Sequence, residues 1–164
     1  MPVGFRKRLS RRKKSGSNPR AGWSGEQVRA EDRAINRAET TKGVVVLNEP
    51  NESVRDALTL LLEGEGWSVE SVRDCEGLRK ALGTGRVMAV VSESSLPDCT
   101  PGEILELCSG LGLPVIFTGH DLPLQGAVDL IRQGAMDFLD KPFPQSRLLN
   151  LLEGMLEQAD GNLQ

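Results

Sequence analysis

The chain has 164 residues and a formal net charge of −3, and this length suits one compact domain with an additional segment. Hydrophobic residues make up 38% of it and aromatic residues 4%, so a single core can form and must be mainly aliphatic. No apolar stretch approaches the ~20 residues that a membrane-spanning helix needs, so the sequence predicts no transmembrane segment.

Charge divides the chain into two unequal parts. Residues 1–42 contain 12 of the 20 Lys and Arg but only 4 of the 23 Asp and Glu, which leaves 8 basic and 19 acidic residues for the remainder. The first 25 residues combine basic side chains with Gly, Ser and Pro, a composition too poor in apolar surface to order itself. We therefore expect a basic, largely disordered arm at 1–42 and a folded domain at 43–164.

The basic arm has two interpretations that the sequence leaves open. It is either a solvated segment, or residues 6–14 bind an acidic partner or the phosphates of a nucleic acid. Such phosphate contacts would be strongly salt-dependent and would not read the base sequence. The tripeptide Ser10-Arg11-Arg12 is similar to a twin-arginine export signal, but basic residues follow it instead of an apolar segment. We therefore expect a cytoplasmic protein.

The three cysteines, Cys75, Cys99 and Cys108, are odd in number and show neither CxxC nor Cys/His ligand spacing. This pattern favours free thiols in a reducing compartment over a disulfide framework. It also gives no indication of a zinc site, so we expect no metal bound by these thiols.

From Gly43 onwards, short apolar runs alternate with segments whose apolar residues recur at helical spacing. The alternation predicts strands at 44–47, 67–72, 87–91, 113–117 and 136–139. It predicts helices from an N-cap at Ser53 to Gly64, around 78–82, at 101–108, at 124–133 and at 145–158. Five βα units in about 115 residues imply a parallel sheet with helices on both faces. Functional groups in such folds collect at the carboxyl ends of the strands.

The segments that follow four of these strands carry polar and charged side chains. Glu49 and Pro50 follow the first strand and Glu93 the third, while Thr118 and Lys141 follow the fourth and fifth. Two carboxylates, a hydroxyl and an ammonium are therefore expected in one cleft.

Over about residues 43–158 the chain resembles the receiver domain of bacterial response regulators, most of all receivers of LuxR-type transcription factors. The resemblance rests on the order and spacing of three motifs: Leu96-Pro97-Asp98, Thr118-Gly119-His120, and the run from Gly134 to Phe143. It implies a flavodoxin-like (βα)5 fold with strand order 2-1-3-4-5. It also implies a cis peptide between Lys141 and Pro142.

In this family a phosphoryl group is transferred to an Asp after the third strand, and two acids after the first strand position Mg²⁺. The resemblance assigns Thr118 and Lys141 to the phosphoryl contacts and Phe138 to the aromatic switch. The paired acids fall on Glu49 and Pro50, and the phosphoacceptor position falls on Glu93. Pro50 has no metal-ligating side chain and Glu93 is one methylene longer than Asp, so we expect Mg²⁺ binding and ordinary phosphotransfer to be lost.

Glu93 then has two interpretations. It is either a fixed negative charge that reaches Lys141 and mimics a phosphoryl group in part, or a charge merely tolerated at an idle cleft. A conventional phosphoacceptor with relaxed chemistry is the alternative that Thr118 and Lys141 support. Asp98 belongs to a turn in the family's pattern, and His120 is expected to be exposed. No base–nucleophile pair is apparent, so we expect no enzyme.

The resemblance also implies a partner surface made by the fourth helix, the fifth strand and the fifth helix. Here those elements run from Leu124 to Gln133, from Met136 to Leu139 and from Gln145 to Leu156. We expect a protein partner on this face, either a second receiver, including a second copy of the chain, or another regulatory protein.

Overall fold

The computed structural model describes residues 41–162, and it describes side chains up to residue 158. The predictions for residues 1–40, including the disordered segment and the contacts of residues 6–14, lie outside the described residues. Within the described part, no helix is both long enough and apolar enough to cross a bilayer.

Five strands and five helices alternate along the described chain, as the apolar pattern predicts. The strands are β1 (Val44–Asn48), β2 (Ser68–Val72), β3 (Val87–Glu93), β4 (Val115–Gly119) and β5 (Asp137–Asp140). The helices are α1 (Glu52–Gly64), α2 (Cys75–Leu82), α3 (Pro101–Ser109), α4 (Leu124–Arg132) and α5 (Gln145–Asn162). All neighbouring strands are parallel, and their order β2-β1-β3-β4-β5 confirms the flavodoxin-like topology.

The central strands are buried on both faces because helices cover both sides of the sheet. Successive side chains of a strand point to opposite sides, so each strand contributes to both parts of the core. In β1, Val46 packs with the α2, α3 and α4 side of the core, whereas Val45 and Leu47 pack with the α1 and α5 side. In α5, Leu148 and Leu152 are fully buried, which agrees with the inward face predicted from their spacing. The core therefore has two halves, one on each face of the sheet, and these half-cores hold the sheet between its helix layers.

The start of α1 corrects one prediction. Asn51, and not Ser53, is the N-cap: its side-chain oxygen accepts a hydrogen bond from the backbone N–H of Val54 at 3.1 Å. Asn and Ser are equally good caps, so the composition alone does not choose between positions two residues apart. The helix consequently begins at Glu52, and Ser53 lies exposed in its first turn.

Two strands, β3 and β4, end two residues later than predicted, and β1 and β5 each end one residue later. β4, predicted from residue 113, begins at Val115. β3 continues from Val91 to Glu93 and β4 from Phe117 to Gly119, so both end in polar or small residues. The extensions pair Ser92 with Phe117 and Glu93 with Thr118. Glu93 and Thr118 therefore belong to the last ladder positions of the sheet, where the backbone restricts them more than a loop would.

Candidate functional site

The carboxyl ends of β1, β3, β4 and β5 bring together a buried group of polar side chains, here called the pocket. Glu49 follows β1, Glu93 ends β3, Thr118 lies near the end of β4, and Lys141 follows β5. Glu49 and Thr118 are 2% exposed and Glu93 is 7% exposed. The structure thus brings together the two carboxylates, the hydroxyl and the lysine that the sequence places after separate strands.

Lys141 stands at the centre of this pocket. Its Nζ donates to Oε1 of Glu49 at 2.6 Å and to Oε1 of Glu93 at 2.7 Å, and its side chain is 9% exposed. The Lys141 backbone N–H donates to the carbonyl of Gly119 at 2.8 Å, and a cis peptide joins Lys141 to Pro142. The cis bond agrees with the family resemblance.

The charge balance of the pocket favours the ammonium form of Lys141. Burial lowers the pKa of Lys141, but the hydrogen bonds and negative charges of Glu49 and Glu93 outweigh that effect. The pKa of Lys141 therefore lies above its ordinary value, so the ammonium is retained throughout the neutral range. One ammonium serves two carboxylates.

The second carboxylate oxygen of Glu93 faces away from Lys141. Its Oε2 accepts from the backbone N–H of Ser95 at 2.9 Å and, through a longer bond of 3.4 Å, from the hydroxyl of Ser94. Among the described residues, the hydroxyl that reaches Glu93 thus belongs to Ser94 rather than to Thr118. Sequence reasoning could not assign Ser94 or Ser95 to the carboxylate, because this role depends on how the chain turns after β3.

Glu49 is held in a similar way from the first helix. Its Oε2 accepts from the backbone N–H of Asn51 at 3.0 Å, and its backbone carbonyl accepts from Arg55 Nη1 at 2.8 Å. Arg55 is a residue that sequence reasoning missed, although its position one turn into α1 brings it near the β1–α1 loop. Pro50 is exposed and contributes only a backbone carbonyl, 3.5 Å from Arg55 Nη1.

The residues present do not fit the Mg²⁺ site of a phosphorylatable receiver. Mg²⁺ requires near-octahedral oxygen ligands at about 2.0–2.1 Å. The Oε1 atoms of Glu49 and Glu93 both bind the ammonium of Lys141, and Pro50 supplies no side-chain oxygen. In residues 41–158 no group of three or more His, Cys, Asp and Glu side chains has a metal-binding arrangement.

Phe138, the predicted switch residue, is half-buried and points into the molecule. Its ring packs against the part of the core between the sheet and α2, α3 and α4. Its tip also reaches Gly119, because a Cβ built on Gly119 would lie 3.2 Å from Phe138 Cζ. Phe138 is therefore adjacent to the pocket in an inward position.

Other residues considered from the sequence have structural surroundings. His120 is exposed beyond the end of β4. Asp98 accepts from the backbone N–H of Cys75 with both carboxylate oxygens, at 3.0 and 3.2 Å, so it supports the start of α2.

The three cysteines are free and buried in one half-core. Burial raises the pKa of the Cys99 thiol from 9.0 to about 12, with a further contribution from its hydrogen bond with Cys75. Burial likewise raises the pKa of Cys108 to about 11. Thiolates react and bind metals far better than thiols, so the raised pKa values disfavour reactions of Cys99 and Cys108.

Comparison with known proteins agrees with this geometry. Residues 45–153 match the family model described as the response regulator receiver domain. The chain is 34% identical to the transcriptional regulatory protein FixJ of Bradyrhizobium diazoefficiens over 125 residues, which covers 74% of this chain and 60% of FixJ. It is 37% identical over 117 residues to the C4-dicarboxylate transport transcriptional regulatory protein DctD of Pseudomonas aeruginosa, covering 69% of this chain and 25% of DctD.

Solved structures of receiver proteins have the same fold. Full-length FixJ from B. japonicum superposes with a TM-score of 0.66 at 30% identity, covering 73% of this chain and 60% of that one. The receiver domain of a putative LuxO repressor from Vibrio parahaemolyticus superposes with a TM-score of 0.68 at 22% identity, covering 73% and 94%. The chain spans less than two thirds of the length of FixJ and DctD. The family match over residues 45–153, together with the fold, shows that the chain belongs to the response regulator receiver domain family.

Proposed function

We propose that this receiver domain is a phosphorylation-independent protein-interaction module, held in one switch state by Glu93. The observation that carries the proposal is the buried contact between Glu93 Oε1 and Lys141 Nζ at 2.7 Å. A charge merely tolerated at an idle cleft would have no reason to be 7% exposed and hydrogen-bonded on both oxygens. The contact supports a structural role for the carboxylate.

The partners of Glu93 resemble those expected for a phosphoryl group. One oxygen binds the ammonium of Lys141, and the other binds a backbone N–H and the hydroxyl of Ser94. A carboxylate carries one negative charge, whereas a phosphoryl group carries about 1.5 to 2, so the mimicry is partial. Lys141 also pairs with Glu49, so one ammonium balances two carboxylates.

Loss of phosphotransfer follows from two departures at the same site. Pro50 replaces an acid that would ligate Mg²⁺, and Glu93 places its carboxylate about one bond length further from the backbone than Asp would. Misplacement of a reacting group by about 1 Å can reduce a rate ~10²-fold. Among the described residues, Lys141 is the one cation paired with Glu49 and Glu93, so without the metal it alone balances these two buried carboxylates.

The proposed partner surface is the α4–β5–α5 face. Leu124 and Ile131 on α4 are 81% and 46% exposed, and Met136 beside β5 is 38% exposed. Arg147 of α5 and Asp137 of β5, 3.4 Å apart, add a charged pair to the same face. Exposed apolar side chains with a polar surround are typical of protein contacts. We propose that this face binds a second receiver or another regulatory protein, and that the output is transcription regulation.

Two alternatives receive less support. A conventional phosphoacceptor is supported by the presence of Thr118 and Lys141, but Pro50 supplies no carboxylate for Mg²⁺ and both Glu49 and Glu93 pair with Lys141. A nucleic-acid-associated role would rest on residues 6–14, which lie outside the described residues, so it stays a prediction. The absence of enzymatic activity and a cytoplasmic location likewise stay predictions.

Intact mass measured after incubation with Mg²⁺ and a small-molecule phosphodonor tests the proposal. We expect no phosphoryl gain on the native chain, and one phosphoryl group on a variant carrying Pro50→Asp and Glu93→Asp. Asp98→Ala in the same background is the matched control, because Asp98 lies outside the pocket and its loss should leave that gain unchanged.

Either of two results would revise the proposal. A phosphoryl group on the native chain would contradict phosphorylation independence, and mapping the modified residue would then identify the acceptor. A variant that stays unmodified would show that positions 50 and 93 are not sufficient to account for the lost activity.

A further inference from the structure

Gly119 is the last residue of β4 and occupies a crowded position. Its φ lies outside the left-handed region, so the backbone conformation does not itself require glycine. Space does. A Cβ at this position would lie 2.6 Å from Ser94 Oγ, 3.2 Å from Phe138 Cζ and 3.3 Å from Glu93 Oε2.

These three atoms come from different parts of the site. Glu93 supplies the fixed charge, Ser94 is its hydroxyl partner, and Phe138 is the aromatic residue next to the partner face. All three approach one point beside Gly119 because it has no side chain. Protein interiors are close-packed, so a methyl group placed at that point must displace at least one of them.

We propose that Gly119 is a positioning residue that couples the Glu93 carboxylate to the inward position of Phe138. This inference rests on the proposed function, because it assumes that Glu93 holds the switch. Phe138 has no phenolic hydroxyl and cannot take its position by hydrogen bonding. Its position is set by contact, with the ring tip seated in the space that Gly119 leaves beside Glu93 and Ser94.

The coupling uses one side of the carboxylate only. Glu93 Oε2 faces Gly119 and Ser94, whereas Oε1 holds Lys141. A methyl group at position 119 would therefore move Ser94 and the Phe138 ring while leaving the Glu93–Lys141 contact in place. Ser94 cannot retreat by moving its backbone freely, because its N–H donates to the carbonyl of Thr118 at 2.8 Å.

The test uses the full chain labelled with fluorinated phenylalanine and measures the ¹⁹F resonances. The chain has four phenylalanines, and loss of a signal in Phe138→Leu identifies that of Phe138. In Gly119→Ala we expect the Phe138 signal to shift and to broaden more strongly with a soluble paramagnetic agent, since the ring moves towards solvent. Gly154→Ala is the matched control, because a Cβ there meets no atom within 4 Å.

A second variant separates coupling from simple damage. Ser94→Ala in the Gly119→Ala background removes the 2.6 Å clash, so the Phe138 signal should return towards that of the native chain. An unchanged Phe138 signal in Gly119→Ala would overturn the proposal, as would a signal that fails to return in the double variant. If Gly119→Ala does not fold, the Phe138 signal is measured in Glu93→Ala instead. We expect the signal to shift there as well, and an unchanged signal would overturn the coupling.

The test is independent of phosphorylation, because it is read on the unmodified chain. A native chain that gains a phosphoryl group contradicts the proposed function but leaves the Phe138 signals to decide the role of Gly119. If the native chain stays unmodified and the Phe138 signal does not change in Gly119→Ala, the proposed function is supported and only the coupling through Gly119 is overturned.

Discussion

Lys141 Nζ lies 2.7 Å from Glu93 Oε1, although the two residues are 48 positions apart in the sequence. The same nitrogen lies 2.6 Å from Glu49 Oε1. In a phosphorylatable receiver the equivalent lysine contacts the incoming phosphoryl group. Here both of its side-chain contacts are carboxylates that the chain itself supplies, which supports the proposal that Glu93 holds the switch in one state.

Replacement of Lys141 should destabilise the domain strongly. Lys141→Met leaves two buried carboxylates without their counter-ion, and loss of one partner of a buried ion pair costs about 3–5 kcal/mol. Chemical denaturation should therefore show a free energy of unfolding lower by about that amount. The matched control is Lys80→Met, whose exposed pair with Glu76 at 3.7 Å should contribute less than about 1 kcal/mol.

A double variant then identifies the cause. Lys141→Met combined with Glu93→Gln should recover part of the lost stability, because only one buried carboxylate then remains unpaired. No recovery would mean that Lys141 stabilises the domain through packing rather than through its charge.

Alkaline pH should destabilise the domain. The pKa of Lys141 is raised in the folded state, as are those of Cys99, to about 12, and Cys108, to about 11. A raised folded pKa means that the folded state keeps protons that the unfolded state releases, so stability is present at low pH and is lost as pH rises. The thiol contribution should begin to fall near pH 9, the ordinary pKa of cysteine, and the Lys141 contribution above 10.5.

Urea denaturation at a series of pH values measures this loss. Cys99→Ala should weaken the dependence that begins near pH 9, since its thiol no longer releases a proton on unfolding. A pH profile identical to that of the native chain would contradict the raised pKa of Cys99.

Asp98 should contribute to the stability of the domain and not to phosphorylation of the variant that carries Pro50→Asp and Glu93→Asp. Its carboxylate accepts from the backbone N–H of Cys75, the first residue of α2, and such helix-capping contacts contribute about 1 kcal/mol. Asp98→Ala should therefore lower the free energy of unfolding by about that amount. Asp56→Ala, at an exposed position on α1, is the control and should change it little. Equal effects of both substitutions would argue against the capping role.

The exposed residues of α4 should mediate association. If the α4–β5–α5 face binds a second copy, Leu124→Glu with Ile131→Glu should shift analytical ultracentrifugation from dimer towards monomer, because charge is then buried in an apolar contact. Leu60→Glu, at a 70% exposed position on α1, should leave the dimer intact. A native chain that remains monomeric at high concentration would exclude self-association and leave a different protein as the partner.

The helices and strands could be predicted because their signals are local. Periodic apolar residues mark each element, and glycines mark several of the helix ends, so the order of elements followed directly. The errors also have local causes. Asn51 and Ser53 compete as caps within two residues, and polar residues at the ends of β3 and β4 hide the last strand positions.

The sequence by itself determined the fold class, the receiver family and the four positions that build the pocket, because motif order and spacing are properties of the chain. Only the tertiary structure decided what those side chains bind. Ser94 as the hydroxyl partner of Glu93, Arg55 on the carbonyl of Glu49, and Gly119 beside Phe138 are contacts of a few ångströms. Such contacts depend on how parallel strands align and where loops turn, and residues distant in sequence meet only after the sheet has formed.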